Sequence, residues 1–307
     1  MKIAILIPCY NEELAIGQVV KECHKYLPQA MVYVYDNNSK DNTVQVARDA
    51  GAIVRSETHQ GKGNVVRRMF ADVEADVYVM TDGDATYDIA SVPQMIDKLI
   101  NENLDMVTGV RKSQSEQAYR AGHQFGNRLM TKIVHLFFGK QTEDMLSGLR
   151  VFSRRFVKAY PANSKGFEIE TELTVFSASM RLPVADYETP YYARPEGSVS
   201  KLSTFKDGWR ILKMIALLIK EERPLLFFGL GAVGLAVLSV LCAIPVIYEY
   251  WQTGLVPRVP TTILSVGLML CAGVSLTLAL ILDSVAKSRQ EFRRMKYLAT
   301  PLYQKEQ

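Results

Sequence analysis

Val77-Tyr78-Val79-Met80-Thr81-Asp82-Gly83-Asp84 is the stretch that decides the fold. An apolar, β-prone run stops at a polar turn that carries two carboxylates one residue apart. That is how a buried strand looks when it delivers functional groups at its C-terminal end. Carboxylates at this spacing can hold a divalent cation against a diphosphate. Their hard oxygens suit Mg2+ or Mn2+.

Working outward, the same grammar repeats. Ile3 to Ile7 reads as a buried strand and Glu12 to Tyr26 as a helix. Met31 to Tyr35 is a second strand, ending in the polar turn Asp36-Asn37-Asn38-Ser39, and Lys40 to Ala50 a helix. Ala52 to Arg55 is a short strand and Gly63 to Glu74 a helix; past the acidic turn, Val92 to Asn101 is a helix and Asp105 to Gly109 a strand. Strands alternating with helices at this spacing predict a mostly parallel α/β sheet covered on both faces. Ligands of such sheets bind outside the carboxyl ends of the strands. The Asp36 turn, the Asp82 turn and Arg111 all follow strands, so they are expected along one edge. Between Gln114 and Ser203 the pattern is less regular, with helices over Phe125 to Phe138 and Glu170 to Met180.

The C-terminal part differs in kind. Pro224 to Tyr248 and Val259 to Leu282 are apolar runs, each longer than the roughly 20 residues that cross a bilayer as a helix. Joined by a ten-residue loop, they predict a membrane hairpin at 224–283. Before them, Phe205 to Lys220 sets Trp209, Leu212, Ile215, Ala216 and Ile219 on one face and Lys206, Arg210, Lys213 and Lys220 elsewhere. This amphipathic pattern suits a helix lying at the membrane interface over 204–223. Lys213, Lys220 and Arg223 precede the hairpin, and Lys287, Arg289, Arg293, Arg294 and Lys296 follow it, against Arg258 alone in its loop. The positive-inside rule therefore puts the domain 1–203 and the tail 284–307 in the cytoplasm, with the chain integral to the cytoplasmic (inner) membrane. The apolar run Ile3 to Ile7, followed by Pro8, is too short for a signal peptide, which agrees with a cytoplasmic first domain.

Composition removes other classes. A net charge of +4 over 307 residues is too small to argue for nucleic acid. The four cysteines form no CxxC pair, and the four histidines no HExxH pattern, so neither a disulfide framework nor a zinc site is expected. Gly61-Lys62-Gly63-Asn64 looks like a phosphate-approaching loop at a helix start, without the spacing of a kinase-type P-loop. Arg111, Arg120, Arg128, Arg150, Arg194 and Lys201 form a loose series of cations suited to phosphates.

Ile7-Pro8-Cys9-Tyr10-Asn11-Glu12-Glu13, Asp36-Asn37-Asn38-Ser39-Lys40-Asp41-Asn42-Thr43 and Asp82-Gly83-Asp84 together resemble the inverting family 2 glycosyltransferases of GT-A fold. Asp144-Met145-Leu146-Ser147-Gly148-Leu149-Arg150 and Ser200-Lys201-Leu202 are similar to the dolichol-phosphate mannose synthase and polyprenyl-phosphate glycosyltransferase branch. The resemblance implies that Pro8, Tyr10 and Glu12 line a nucleoside pocket and that Asp36 binds the base. Asp82 would touch ribose and metal, and Asp84 would hold the metal. Arg111, Arg120 and Arg150 would gather an acceptor phosphate, while Arg194 and Lys201 close on the donor. Relatives often carry Gln two residues after the second metal Asp; here Thr86 stands there, and Asp88 is the nearby alternative. The function implied is transfer of one sugar from a nucleoside diphosphate, UDP favoured over GDP, to a polyprenyl phosphate. A processive polysaccharide synthase fits less well, since no QxxRW motif is present and only two spans are predicted. A non-enzymatic adaptor with a degenerate nucleotide domain fits poorly with retention of both Asp82 and Asp84. The sugar and the lipid length stay open, as does a homo-oligomer.

Overall fold

The computed structural model describes residues 1–113, 121–195 and 204–302. The chain forms two compact units, Met1–Ile215 with Phe292–Gln307, and Ala216–Glu291.

The first unit is built on a seven-stranded mixed sheet. Its strands are β1 (Ile3–Cys9), β2 (Met31–Asp36), β3 (Ile53–Ser56), β4 (Val77–Met80), β5 (Met106–Ser113), β6 (Arg150–Ser153) and β7 (Val184–Tyr191). They run in the order β3-β2-β1-β4-β6-β5-β7. All are mutually parallel except β6, which is antiparallel to both β4 and β5. Around the sheet lie α1 (Ile16–Tyr26), α2 (Thr43–Asp49), α3 (Lys62–Asp72), α4 (Val92–Asn101), α5 (Ala121–Phe138), α6 (Arg154–Ala159) and α7 (Ile169–Ser179).

The strand interiors read as apolar runs because both faces are covered. On one face Ile5, Val79 and Val151 pack with Val19, Val20 and Met95. On the other, Leu6, Tyr78 and Phe152 pack with Met69, Phe70, Phe156 and Phe176. Each such side chain contributes on the order of 1.5–3 kcal/mol by leaving water.

The register explains how distant motifs converge. Cys9 pairs with Asp36, and Leu6 with Met80, so the turns after β1, β2 and β4 open on one edge. Because β6 runs the other way, its first residue, Arg150, pairs with Met80. The loop entering β6, with Asp144 and Gly148, is thereby carried to that edge. On β7, Thr189 pairs with Arg111 and Tyr191 with Ser113, which brings Tyr191 and Arg194 there as well. The sequence pattern gave no strand for either β6 or β7. At four residues, β6 is too short to show a period, and β7 carries Pro190 and alternates only weakly.

Helix α8 (Thr204–Glu222) bridges the two units in sequence. The second unit contains α9 (Pro224–Thr253) and most of α10 (Val259–Ala299), two helices long and apolar enough to cross a membrane. Their inward positions recur every seven residues: Ala232, Ser239 and Val246 on α9, and Ser265, Ala272, Ala279 and Ala286 on α10. That period is the antiparallel coiled-coil seam, with small residues letting the backbones approach. At its centre Ser239 Oγ donates to the Ser265 carbonyl at 2.7 Å, and Ser265 Oγ to the Ser239 carbonyl at 2.9 Å. Large apolar side chains such as Leu241, Ile263 and Leu270 face outward.

Sequence pattern suggested a separate tail from 284. Instead α10 continues unbroken to Ala299. Its last turns belong to the first unit, where Tyr297 Oη donates to Asp105 Oδ2 at 2.8 Å and Arg155 Nε to the Thr300 carbonyl at 3.2 Å.

Candidate active site

The carboxyl edge of the sheet encloses a cavity of about 340 Å³. Pro8, Tyr10 and Glu12 line it from the turn after β1, Asn37 from the turn after β2, and Lys62 from the start of α3. Asp82 and Asp84 enter from the turn after β4, Arg111 from β5, and Tyr191 and Arg194 from the end of β7.

Two ion-pair networks organise it. Lys62 Nζ lies 2.6 Å from Asp82 Oδ1 and 2.5 Å from Glu170 Oε1. Arg194 Nη2 lies 2.5 Å from Asp84 Oδ2, with Nη1 4.0 Å from Glu12 Oε1. Burial alone would lower the Lys62 pKa, but the adjoining Asp82 and Glu170 carboxylates hold the ammonium above the ordinary lysine range. Burial pushes the Asp84 carboxyl up, and the neighbouring charge on Asp82 pushes the same way; Arg194 and Thr86 oppose it.

Backbone geometry sets these groups. Ala85 has φ 58°, a left-handed conformation that costs a residue with a Cβ on the order of 1–3 kcal/mol. The bend turns Thr86 back, so that its Oγ1 donates to Asp84 Oδ1 at 2.6 Å and its N–H to the same oxygen at 3.2 Å. Thr86 thus orients the second carboxylate. Asp88 does not line the cavity, and its Oδ2 accepts from Ser91 Oγ. At the phosphate-type loop, Gly61 has φ 129°, and a Cβ there would meet the Lys165 carbonyl at 2.2 Å. Asn37 fastens this loop, with Nδ2 donating to the Glu57 and His59 carbonyls and Oδ1 accepting the Gly61 N–H at 2.7 Å.

Of the residues singled out in the sequence, Pro8, Tyr10, Glu12, Lys62, Asp82, Asp84, Arg111 and Arg194 come together on this cavity. Asp36 stays behind it, buried, accepting the Ser39 N–H at 3.2 Å, while its neighbour Asn37 lines the wall. Arg150 is not on the cavity at all. Its guanidinium is fully buried and donates to the Ser147, Met145 and Glu170 carbonyls and to Thr174 Oγ1. These bonds make it a brace between the loop entering β6 and α7, not a ligand for a phosphate. Arg120 and Lys201 lie outside the described residues, as does the side chain of Arg128.

Arg111 is held by a fork: Nε and Nη2 donate to the two oxygens of Asp144 at 2.6 and 2.8 Å. Its guanidinium also stands 5.4 Å from the centre of the Tyr191 ring. Sequence reasoning missed Glu170, Tyr87, Tyr191, Leu146 and Phe167, all on the cavity wall. Glu170 carried no local signal: Thr171, Glu172 and Thr174 lie around it in sequence, and its burial follows from the packing of α7. Tyr87 carried none; its phenol accepts the Gly148 N–H at 2.7 Å, and burial raises its pKa.

The donor chemistry fits a divalent cation shared with a ligand. Among the described residues, no group of three or more His, Cys, Asp or Glu side chains could hold an ion alone. Asp82 and Asp84 offer hard oxygens, to which a diphosphate would add its own. Among the described residues, Glu12, Asp82, Asp84 and Glu170 outnumber Lys62, Arg111 and Arg194 on the wall, and Arg111 is already matched by Asp144. A further anion entering here calls for an added cation.

A family model for glycosyl transferase family 2 matches residues 4–160. The glycosyltransferase AglJ of Haloferax volcanii is 31% identical over 300 residues, 96% of this chain and 98% of AglJ. A dolichyl-phosphate hexose transferase from the same organism is 28% identical over 221 residues, 72% of this chain and 95% of that protein. Among solved structures, glucosyl-3-phosphoglycerate synthase from Mycobacterium tuberculosis, in complex with Mn2+, UDP-glucose and phosphoglyceric acid, superposes with a TM-score of 0.58. It is 21% identical, covering 71% of this chain and 79% of its own, and the likeness is one of fold.

Proposed function

This chain belongs to glycosyl transferase family 2, and from that premise we propose that it transfers one sugar from a nucleoside diphosphate donor to a polyprenyl phosphate, inverting the anomeric carbon. One observation carries the reading. Two adjacent strand-end carboxylates, Asp82 and Asp84, face the cations Lys62, Arg111 and Arg194 across a single cavity. The lipid acceptor is favoured by two membrane-length helices in the same chain and by the likeness to a dolichyl-phosphate hexose transferase. UDP is favoured as the nucleotide.

Asp82 and Asp84 would hold Mg2+ or Mn2+, which when bound offsets the charge gathering on the leaving diphosphate. Pro8, Tyr10 and Glu12 form the nucleoside side of the cavity, and Asn37 orders the loop beside them. Lys62 meets the diphosphate as a point charge, and Arg194 can turn from Asp84 toward it. Arg111, aimed by Asp144, receives the acceptor phosphate, with Arg120 as a further cation there, while Lys201 joins Arg194 on the donor. A phosphate monoester is already anionic at neutral pH. Its oxygen attacks the anomeric carbon from the face opposite the nucleotide, the new C–O bond forms as the bond to diphosphate breaks, and the electron pair leaves on the diphosphate. No general base is needed, so positioning and charge compensation make up the catalysis. Both flanks of the hairpin would lie in the cytoplasm, with the chain in the inner membrane.

The test is a donor screen: purified protein in detergent, a short polyprenyl phosphate, Mn2+, and a panel of UDP- and GDP-sugars, read by mass spectrometry. A lipid-linked monosaccharide is expected from one donor. Transfer to a growing glycan, or donor hydrolysis unaffected by the lipid, would refute the acceptor.

A further inference from the structure

Glu170 takes no part in the transfer just described, yet it is a charged side chain, 4% exposed, on the cavity wall. A buried carboxylate is costly unless it is paired. Its partner is the Lys62 ammonium at 2.5 Å, and the same ammonium lies 2.6 Å from Asp82 Oδ1. One cation is therefore shared between a residue placed to hold a metal and a residue that is not.

The segments carrying this pair are locked together. The Ser164 and Lys165 carbonyls press on Gly63 and Gly61, where a Cβ on either glycine would come within 2.2 Å. Glu172, one half-turn beyond Glu170, accepts the Asn163 and Ser164 N–H groups at 3.0 and 2.7 Å. With the backbone fixed on both sides, the Lys62 side chain spans a set distance between its two carboxylates.

We propose that Glu170 is a positioning residue, sharing the Lys62 ammonium with Asp82 so that Asp82 stays available to a divalent cation while Lys62 stays poised for the diphosphate. This rests on the site being a nucleoside diphosphate site. Without Glu170, Lys62 and Asp82 close into a one-to-one ion pair, and an incoming cation must compete with the ammonium for that carboxylate. Glu170 acts only through Lys62, so its effect must vanish when Lys62 is removed.

The experiment is calorimetry on the full chain in detergent, titrating UDP or GDP at a series of Mn2+ concentrations. Four proteins are compared: wild type, Glu170→Gln, Lys62→Met and the double variant. Glu170→Gln should raise the Mn2+ concentration for half-maximal nucleotide binding about tenfold, the size of one charge-assisted contact. On the Lys62→Met background the same change should matter less than about twofold. Lys62→Met strands the Glu170 carboxylate, so adding Glu170→Gln should raise the melting temperature of that variant. Should Glu170→Gln alone prove unstable, Glu170→Asp, which keeps the charge but retracts it, should fall between wild type and Glu170→Gln in Mn2+ requirement. Equal effects of Glu170→Gln with and without Lys62 overturn the proposal. A wild-type protein that binds neither nucleotide overturns the site reading and the proposal together.

Discussion

Gly148 lies against Asp82: a Cβ at position 148 would stand 2.6 Å from Oδ2 and 3.1 Å from Oδ1. The loop entering β6 thus forms one wall of the carboxylate's socket, fixed by the Gly148 N–H bond to Tyr87 Oη. Asp82 is held between backbone on one side and Lys62 on the other. Gly148→Ala is therefore expected to displace the Asp82 carboxylate from its socket. A displacement near 1 Å at a reacting centre costs roughly a hundredfold in rate. Turnover and the Mn2+ requirement measured on a variant with wild-type circular dichroism would check it, and activity within threefold of wild type would show that the close approach is incidental.

Asp84 should trade stability for function. Its pKa is raised in the fold, so between the ordinary value of 3.8 and the folded value the native protein holds a proton that the unfolded chain has released. Stability then falls as pH rises through that window and levels off once Asp84 is ionised in both states. Asp84→Asn removes this penalty and the repulsion from Asp82. The variant should melt higher than wild type in EDTA at pH 7, with the gap shrinking toward pH 4, and should lose divalent-dependent turnover. A gap that widens on acidification would contradict the sign.

How far the sequence carried the site can be read from particular residues. Asp82 and Asp84 were legible because a strand ends where they begin, and the carboxyl edge of a parallel sheet collects such turns. Glu12, Lys62 and Arg111 followed from their places after strands or in motifs, and Arg194 from the family resemblance alone. Arg150 did not, because its role depends on β6 running antiparallel, and four residues carry no period that reveals direction. Asp36 was placed one residue off for a related reason: side chains alternate across a strand end, and Asn37 is the one that reaches the cavity. Glu170 and Tyr191 come from elements whose position is set by tertiary packing alone. The hairpin was visible at once, since a bilayer-length apolar run is a composition signal. The seven-residue seam inside it was equally written in the sequence but concealed by uniform hydrophobicity.

The hairpin loop offers a prediction about orientation. Its basic residue is Arg258, against Lys213, Lys220 and Arg223 before the hairpin and Lys287, Arg289, Arg293, Arg294 and Lys296 after it. That asymmetry favours a cytoplasmic location for both ends. In a chain with Cys242 and Cys271 replaced by serine, a membrane-impermeant thiol reagent added to right-side-out vesicles should label Leu255→Cys and leave Ser288→Cys untouched until the membrane is opened. The reverse pattern would invert the topology.

Arg111 is where the geometry sharpens the chemistry. Its fork is occupied by Asp144, which is buried, while Arg111 itself is half-buried at the cavity. Arg111→Ala would strand that carboxylate at a cost of about 3–5 kcal/mol, so a loss of activity in that variant would mix unfolding with catalysis. Lysine keeps the charge beside Asp144 and removes the planar fork, which makes it the cleaner probe. An Arg–phosphate contact of this kind contributes about 1.5–3 kcal/mol, or roughly ten- to a hundredfold in rate. Arg111→Lys should therefore lower transfer to polyprenyl phosphate by that factor, fold like wild type, and bind the nucleotide within a few-fold of it. Asp144→Asn should reproduce part of the loss, since Arg111 keeps its charge but loses its aim. Calorimetry with the nucleotide and a lipid-transfer assay on the same preparations separate the two sites. If nucleotide binding collapses in Arg111→Lys while transfer at saturating donor is normal, Arg111 serves the donor, and the acceptor phosphate must be gathered elsewhere on the cavity wall.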